Sequence, residues 1–125
     1  MSQLALVFGS IFGLTAVIFG AFGAHLLKKK LNKDQLNSFE IGVKYQMYHA
    51  IVLLILGFQL PLNVPLENYI IYAFIIGTLL FSFSIYGLVI SSAMNKKLKI
   101  LGPITPIGGL FLVLGWALLI YKLIA

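Results

Sequence analysis

Arginine and cysteine are both missing from this chain, and carboxylates nearly so: Asp34, Glu40 and Glu67 are all it has. Without cysteine there is no disulfide, no thiolate nucleophile and no thiolate metal ligand. Without arginine there is no planar fork to grip a phosphate or carboxylate bidentately. The missing arginine, beside abundant Lys, Ile and Asn, reads as compositional bias. Phosphate-binding loops and nucleotide fingerprints are also lacking. What the chain does have is apolar surface. Of its 125 residues 61% are hydrophobic and 10% charged, and the mean hydropathy is +1.05. A soluble domain of this size cannot hide that much apolar surface, so lipid is the solvent.

Four long apolar runs, Gln3–His25, Tyr45–Leu60, Tyr69–Met94 and Gly102–Tyr121, read as membrane spans within one domain, residues 1–125. The first run is read as a retained span: it lacks a basic n-region and exceeds a typical signal h-region. The second run is short. Sixteen residues cover about 24 Å, less than a hydrocarbon core of about 30 Å. The helix must therefore begin earlier. Leu36, Phe39, Val43 and Met47 recur at helical spacing among polar residues, which predicts a short amphipathic interfacial helix over 34–44 that feeds span two. Asn37–Glu40 has capping-box spacing. The fold expected is all-α, a polytopic four-helix membrane bundle.

The lysines fix an orientation. Lys28, Lys29, Lys30, Lys33 and Lys44 lie between spans one and two, and Lys96, Lys97 and Lys99 between spans three and four. Only Lys122 lies on the other side. The positive-inside rule puts both lysine loops in the cytoplasm, with both termini outside, in a bacterial plasma membrane. Anionic headgroups are the expected partners of these loops, and nucleic acid is not. Tyr69, Tyr72, Trp116 and Tyr121 are expected toward the outer interface.

Helix association in lipid relies on close packing through small residues. Gly9, Gly13, Gly20 and Gly23 keep one face of span one small, and Gly77 and Gly87 do the same for span three. The sequence leaves open whether these stripes face each other or another protomer. Span four opens on Gly102-Pro103-Ile104-Thr105-Pro106, either an awkward helix start or a broken helix lining a polar cavity.

Ionisable groups inside a membrane are costly and draw functional interest. All three carboxylates are expected in connections or in the interfacial helix, which leaves His25 and His49. Antiparallel spans put the two at similar depth. Tyr45 and Gln46 share the face of His49, span three brings Ser84, Tyr86 and Ser91, and span four begins with Thr105 and Pro106. His25, Tyr45, Gln46, His49, Tyr86, Thr105 and Pro106 thus form a candidate ligand site in the cytoplasmic half. A structural polar cluster and a catalytic site are the competing readings. Metal chemistry is poorly served, because Glu40 is about 13–14 Å from His49 along a helix and two histidines make a poor zinc set. No oriented Ser–His–acid set can be read. No cofactor is implied.

Three motifs carry a resemblance: Gly20-Ala21-Phe22-Gly23-Ala24-His25, Tyr45-Gln46-Met47-Tyr48-His49, and Leu101 to Gly109 followed by Gly115-Trp116. In this order they resemble the small membrane proteins of domain-of-unknown-function family 423. The resemblance covers nearly the whole chain. It implies four spans and points to His25, Gln46, His49 and the Pro103–Gly109 turn, and it supplies no mechanism. Phe83 stands where the family pattern has a small residue. The function expected is that of a non-enzymatic structural or accessory bundle, self-assembling or joined to a membrane complex. A small transporter or lipid- or ligand-binding protein is the alternative, and a lipid-directed enzyme with a histidine base is the third.

Overall fold

At three of the four helix starts in this chain a side chain accepts nearby main-chain amides, groups that would otherwise lack a partner. A computed structural model describes residues 2–125, with Ala24 through its backbone alone. Among these residues four helices are long and apolar enough to cross a membrane: span one, Gln3–Leu27; span two, Lys33–Gln59; span three, Pro65–Ala93; and span four, Lys99–Ile124. Ser2 Oγ accepts the Ala5 amide at the start of span one. Asn32 and Gln35 cap span two reciprocally. Glu67 Oε1 accepts the amides of Asn63 and Val64 ahead of span three. No strand occurs among the described residues. The all-α four-span expectation is met.

Span two differs from expectation. Asp34–Lys44 is no separate interfacial helix; it continues unbroken into the rest of a 27-residue helix, about 40 Å long. The cause is the buried stripe Phe39, Gly42, Gln46, His49 and Leu53, whose steps of three and four keep one face inward from the first turns onward. The capping box forms at Asn32–Gln35 rather than Asn37–Glu40, because the helix has already begun at Lys33.

Span one lies along span two, and span four along span three. Spans one and four do not approach each other backbone to backbone. The glycine stripes of spans one and three face spans two and four, not each other. A Cβ on Gly9 would meet the Ala50 carbonyl of span two at 2.9 Å, and one on Gly20 would meet Val43 at 3.2 Å. Gly77 abuts Leu112 of span four, and Gly87 abuts Leu101. Gly42, Gly57 and Gly115 make equally close approaches, to Tyr86, Leu6 and Phe74.

Span four starts as a regular helix at Ile104, after a single 3₁₀ turn at Lys99–Leu101. Pro103 precedes it and Pro106 occupies its first turn, where no amide donor is required. The irregular backbone lies elsewhere, in two π turns at Phe19–Gly23 and Leu79–Phe83. The second is where span four crosses span three. The Leu80–Phe81 backbone lies against Gly108, close enough that a Cβ there would sit 2.7 Å from the Leu80 carbonyl carbon. Phe83 faces outward at the rim of this turn, against Phe19 and Tyr86, and Ser82 takes the buried position.

Candidate functional site

Gln46 is fully buried on span two, and the helices around it saturate its amide. Its Nε2 donates to the Phe12 carbonyl at 2.9 Å and to Thr15 Oγ1 at 2.6 Å, both on span one. Its Oε1 accepts from Tyr86 of span three at 2.7 Å. Thr15 passes its own proton back to the Ile11 carbonyl at 2.9 Å. One side chain thus ties three helices. A buried amide in lipid requires this completeness, since no water is present to serve an unpaired group.

His49 lies about one turn further along span two. Its Nδ1 is 2.7 Å from the Tyr45 carbonyl, and its Nε2 is 3.2 Å from the indole nitrogen of Trp116. A carbonyl accepts and an indole N–H donates, so the pair assigns the neutral tautomer with the proton on Nδ1. Phe74 packs against both rings, with centroids 5.6 Å from His49 and 5.3 Å from Trp116. Trp116 was expected near the outer interface. Instead it sits level with His49, because Gly115 lets span four close on Phe74.

Two serines of span three make three further bonds in the lysine half. Ser82 Oγ donates to the Gly42 carbonyl at 2.8 Å. Ser84 Oγ donates to the Phe81 carbonyl at 2.9 Å and lies 2.6 Å from Thr105 Oγ1. Since Ser84 has one proton, Thr105 is the donor of that second bond.

The seven residues of the predicted site therefore separate. Gln46 and Tyr86 meet. His49 meets the backbone of Tyr45 and the unforeseen Trp116. Thr105 meets Ser84, and Pro106 lines a cavity of about 650 Å³ at the lysine end. His25 is exposed. The register that sets Gly20 on Val43 and Gly23 on Phe39 puts His25 about three turns from His49 along span two, not at its depth. No cavity is built from His25, Gln46 and His49 together. Tyr45 is 42% exposed and stacks on Phe81, ring centroids 5.2 Å apart.

The opposite end of the bundle also holds a polar group that the sequence reading put in a connection. Glu67 is 1% exposed. Besides its two amides it has Lys122 Nζ at 3.6 Å from Oε2, which fastens the last turns of span four to the start of span three. Its position three residues into a helix is the signal for such a cap. Among the described residues no group of three or more His, Cys, Asp or Glu could hold a metal ion.

Trp116→Phe keeps an aromatic ring near Phe74 but removes the indole donor and the five-membered half of the indole. The lost hydrogen bond should account for about 1 kcal/mol of the fall in unfolding free energy in detergent or nanodiscs. In a His49→Ala background the same change should cost about 1 kcal/mol less, the packing loss alone remaining. Equal losses in both backgrounds would show that the His49–Trp116 bond contributes no stability.

A family described as "Protein of unknown function (DUF423)" matches residues 19–109. A UPF0382 membrane protein of Staphylococcus aureus is 39% identical over 121 residues, covering 94% of this chain and 93% of that protein. A UPF0382 membrane protein of Staphylococcus haemolyticus is 36% identical, with the same coverage. The UPF0382 inner membrane protein YgdD of Escherichia coli K12 is 33% identical over 120 residues, covering 95% of this chain and 88% of its own length. No solved structure matches the chain. With four apolar helices and these relatives, the chain is an integral membrane protein belonging to the DUF423 family.

Proposed function

We propose that the chain is a non-catalytic membrane bundle serving as a structural or accessory component, in company with a second copy or with another membrane protein. The observation that carries this reading is how the interior polar groups are used. Gln46, His49, Ser82 and Ser84 each bond to another helix or to a main-chain carbonyl. Such groups hold helices together and are not poised to attack or to transfer a proton. Glycine supports the same reading, because the close crossings lie within the chain and make it a firm unit. Cross-linking at native expression level, followed by extraction into nanodiscs and mass measurement, tests it. A companion protein in fixed stoichiometry, or a defined oligomer, is expected. A lone monomer with nothing cross-linked rejects it.

The orientation belongs to the same proposal: lysine loops in the cytoplasm, both termini outside, in a bacterial plasma membrane. Lysine asymmetry supports it, as does the inner-membrane name of the relative YgdD. A chain without cysteine can be probed one site at a time. In intact spheroplasts, Asn63→Cys should react fully with an impermeant maleimide, and Lys30→Cys only after permeabilisation. The reverse pattern inverts the topology.

A further inference from the structure

The large cavity at the lysine end opens between the first turns of spans two and four and the last turns of span three. Its lining changes character with depth. Ile85, Leu88 and Val89 form an apolar wall along span three, while Gln35 and Ser92 edge the mouth and bond to each other across it at 3.3 Å. Lys97 and Lys99 line the same cleft.

A bonded turn holds these two lysines. Ser91, buried near the end of span three, accepts the Leu98 amide on its Oγ at 3.1 Å and donates to the Leu88 carbonyl at 3.2 Å. Its own carbonyl accepts the Lys96 amide at 2.9 Å. Leu98 stands between the lysines, so the bond that fixes it positions both. Leu98 and Ile100 alternate with them and are 52% and 76% exposed. Apolar and cationic side chains alternate in this way at the boundary between acyl chains and headgroups, where the apolar ones enter lipid and the ammonium groups reach phosphate.

Two ammonium groups above an apolar wall complement a single amphiphile, with its phosphate at the mouth and an acyl chain along span three. Asp34 is the sole carboxylate in the lining. Two lysines less one aspartate leave a charge of +1, which suits a lipid of net charge −1 better than a zwitterion. Asp34 and Gln35 can also accept hydrogen bonds from headgroup hydroxyls. We propose that this cleft binds one anionic phosphodiester lipid with a hydroxyl-bearing headgroup, of the phosphatidylglycerol class, with Lys97 and Lys99 on the phosphate. The site goes beyond the accessory role: a bundle with no protein companion would still have it.

Native mass spectrometry of the full chain tests the site, after delipidation in detergent and titration with phosphatidylglycerol or phosphatidylethanolamine of the same acyl chains. One phosphatidylglycerol per chain should bind in preference to phosphatidylethanolamine. Joint Lys97→Gln and Lys99→Gln replacement should weaken that binding roughly 30-fold, about 5-fold for each lysine. Joint Lys28→Gln and Lys29→Gln replacement removes equal charge outside the cleft and should change it less than about 3-fold. Leu88→Trp fills the cleft without altering charge and should abolish the adduct, with helicity unchanged by circular dichroism. Equal weakening by the two lysine pairs would reduce the site to general attraction by a basic surface. Equal binding of the two lipids, or binding retained in Leu88→Trp, would also overturn it.

Discussion

Gly108→Val is expected to lower the unfolding free energy by roughly 3 kcal/mol, the upper end for overpacking a closed contact. The reason is what a Cβ would strike. At Gly108 it would lie 2.7 Å from the Leu80 carbonyl carbon and 2.8 Å from Phe81 Cα. Backbone cannot rotate away as a side-chain tip can, so span four would have to lift off the π turn of span three. That movement would also strain the nearby Ser84–Thr105 bond. Gly13→Ala is the control, since its Cβ would meet only Ala50 Cβ at 3.9 Å. There the better helix propensity of alanine should prevail, giving a neutral change or a gain of about 0.5–1 kcal/mol. Unfolding in mixed micelles, followed by the fluorescence of Trp116, the one tryptophan, measures both. Similar losses at the two positions would mean that the Gly108 crossing is not the tight one.

These two glycines mark what was legible in the sequence. The small-residue stripe of span one predicts a close approach at Gly13 that the fold does not make, and Gly108 is legible only as part of the Pro103–Gly109 turn; the four spans follow from run length alone. Which helix each glycine faces did not follow. A stripe of small residues defines a face but not the neighbour that fills it, and in lipid no polar side betrays the outward direction. The second π turn was hidden for a related reason: Leu79–Phe83 contains no proline or glycine, and its wider turn answers a partner 25 or more residues away in sequence.

The polar cluster was legible as a set of residue types and illegible as a set of pairs. The sequence places Tyr86 and Gln46 in one half of the bundle, but their hydrogen bond is read only from the structure. His25 and His49 were matched by assuming that both lie just inside their spans. Span two begins at Lys33, however, so His49 is more than four turns into its helix. Glu67 precedes the apolar run that begins at Tyr69, so the sequence alone puts it in a connection. Its helical position makes it a cap, and Lys122 on span four makes it a junction.

Gln46→Leu should cost about 2–3 kcal/mol, although leucine nearly fills the same volume. Three hydrogen bonds are lost with it, and interhelical bonds in membranes contribute about 0.6 kcal/mol each on average. The larger share comes from what remains. The Tyr86 hydroxyl would lose its acceptor, with the Ser82 hydroxyl as its remaining polar neighbour, and an orphaned buried donor costs about 1–3 kcal/mol. Thr15 suffers less, because it already donates to Ile11. The origin of the loss can be separated with Tyr86→Phe. Alone, that change should cost about 1 kcal/mol. Added to Gln46→Leu it should cost nothing or restore about 1 kcal/mol, since the orphaned hydroxyl disappears. Strictly additive losses would mean that the two side chains act independently and that the three-helix tie contributes nothing beyond its separate contacts.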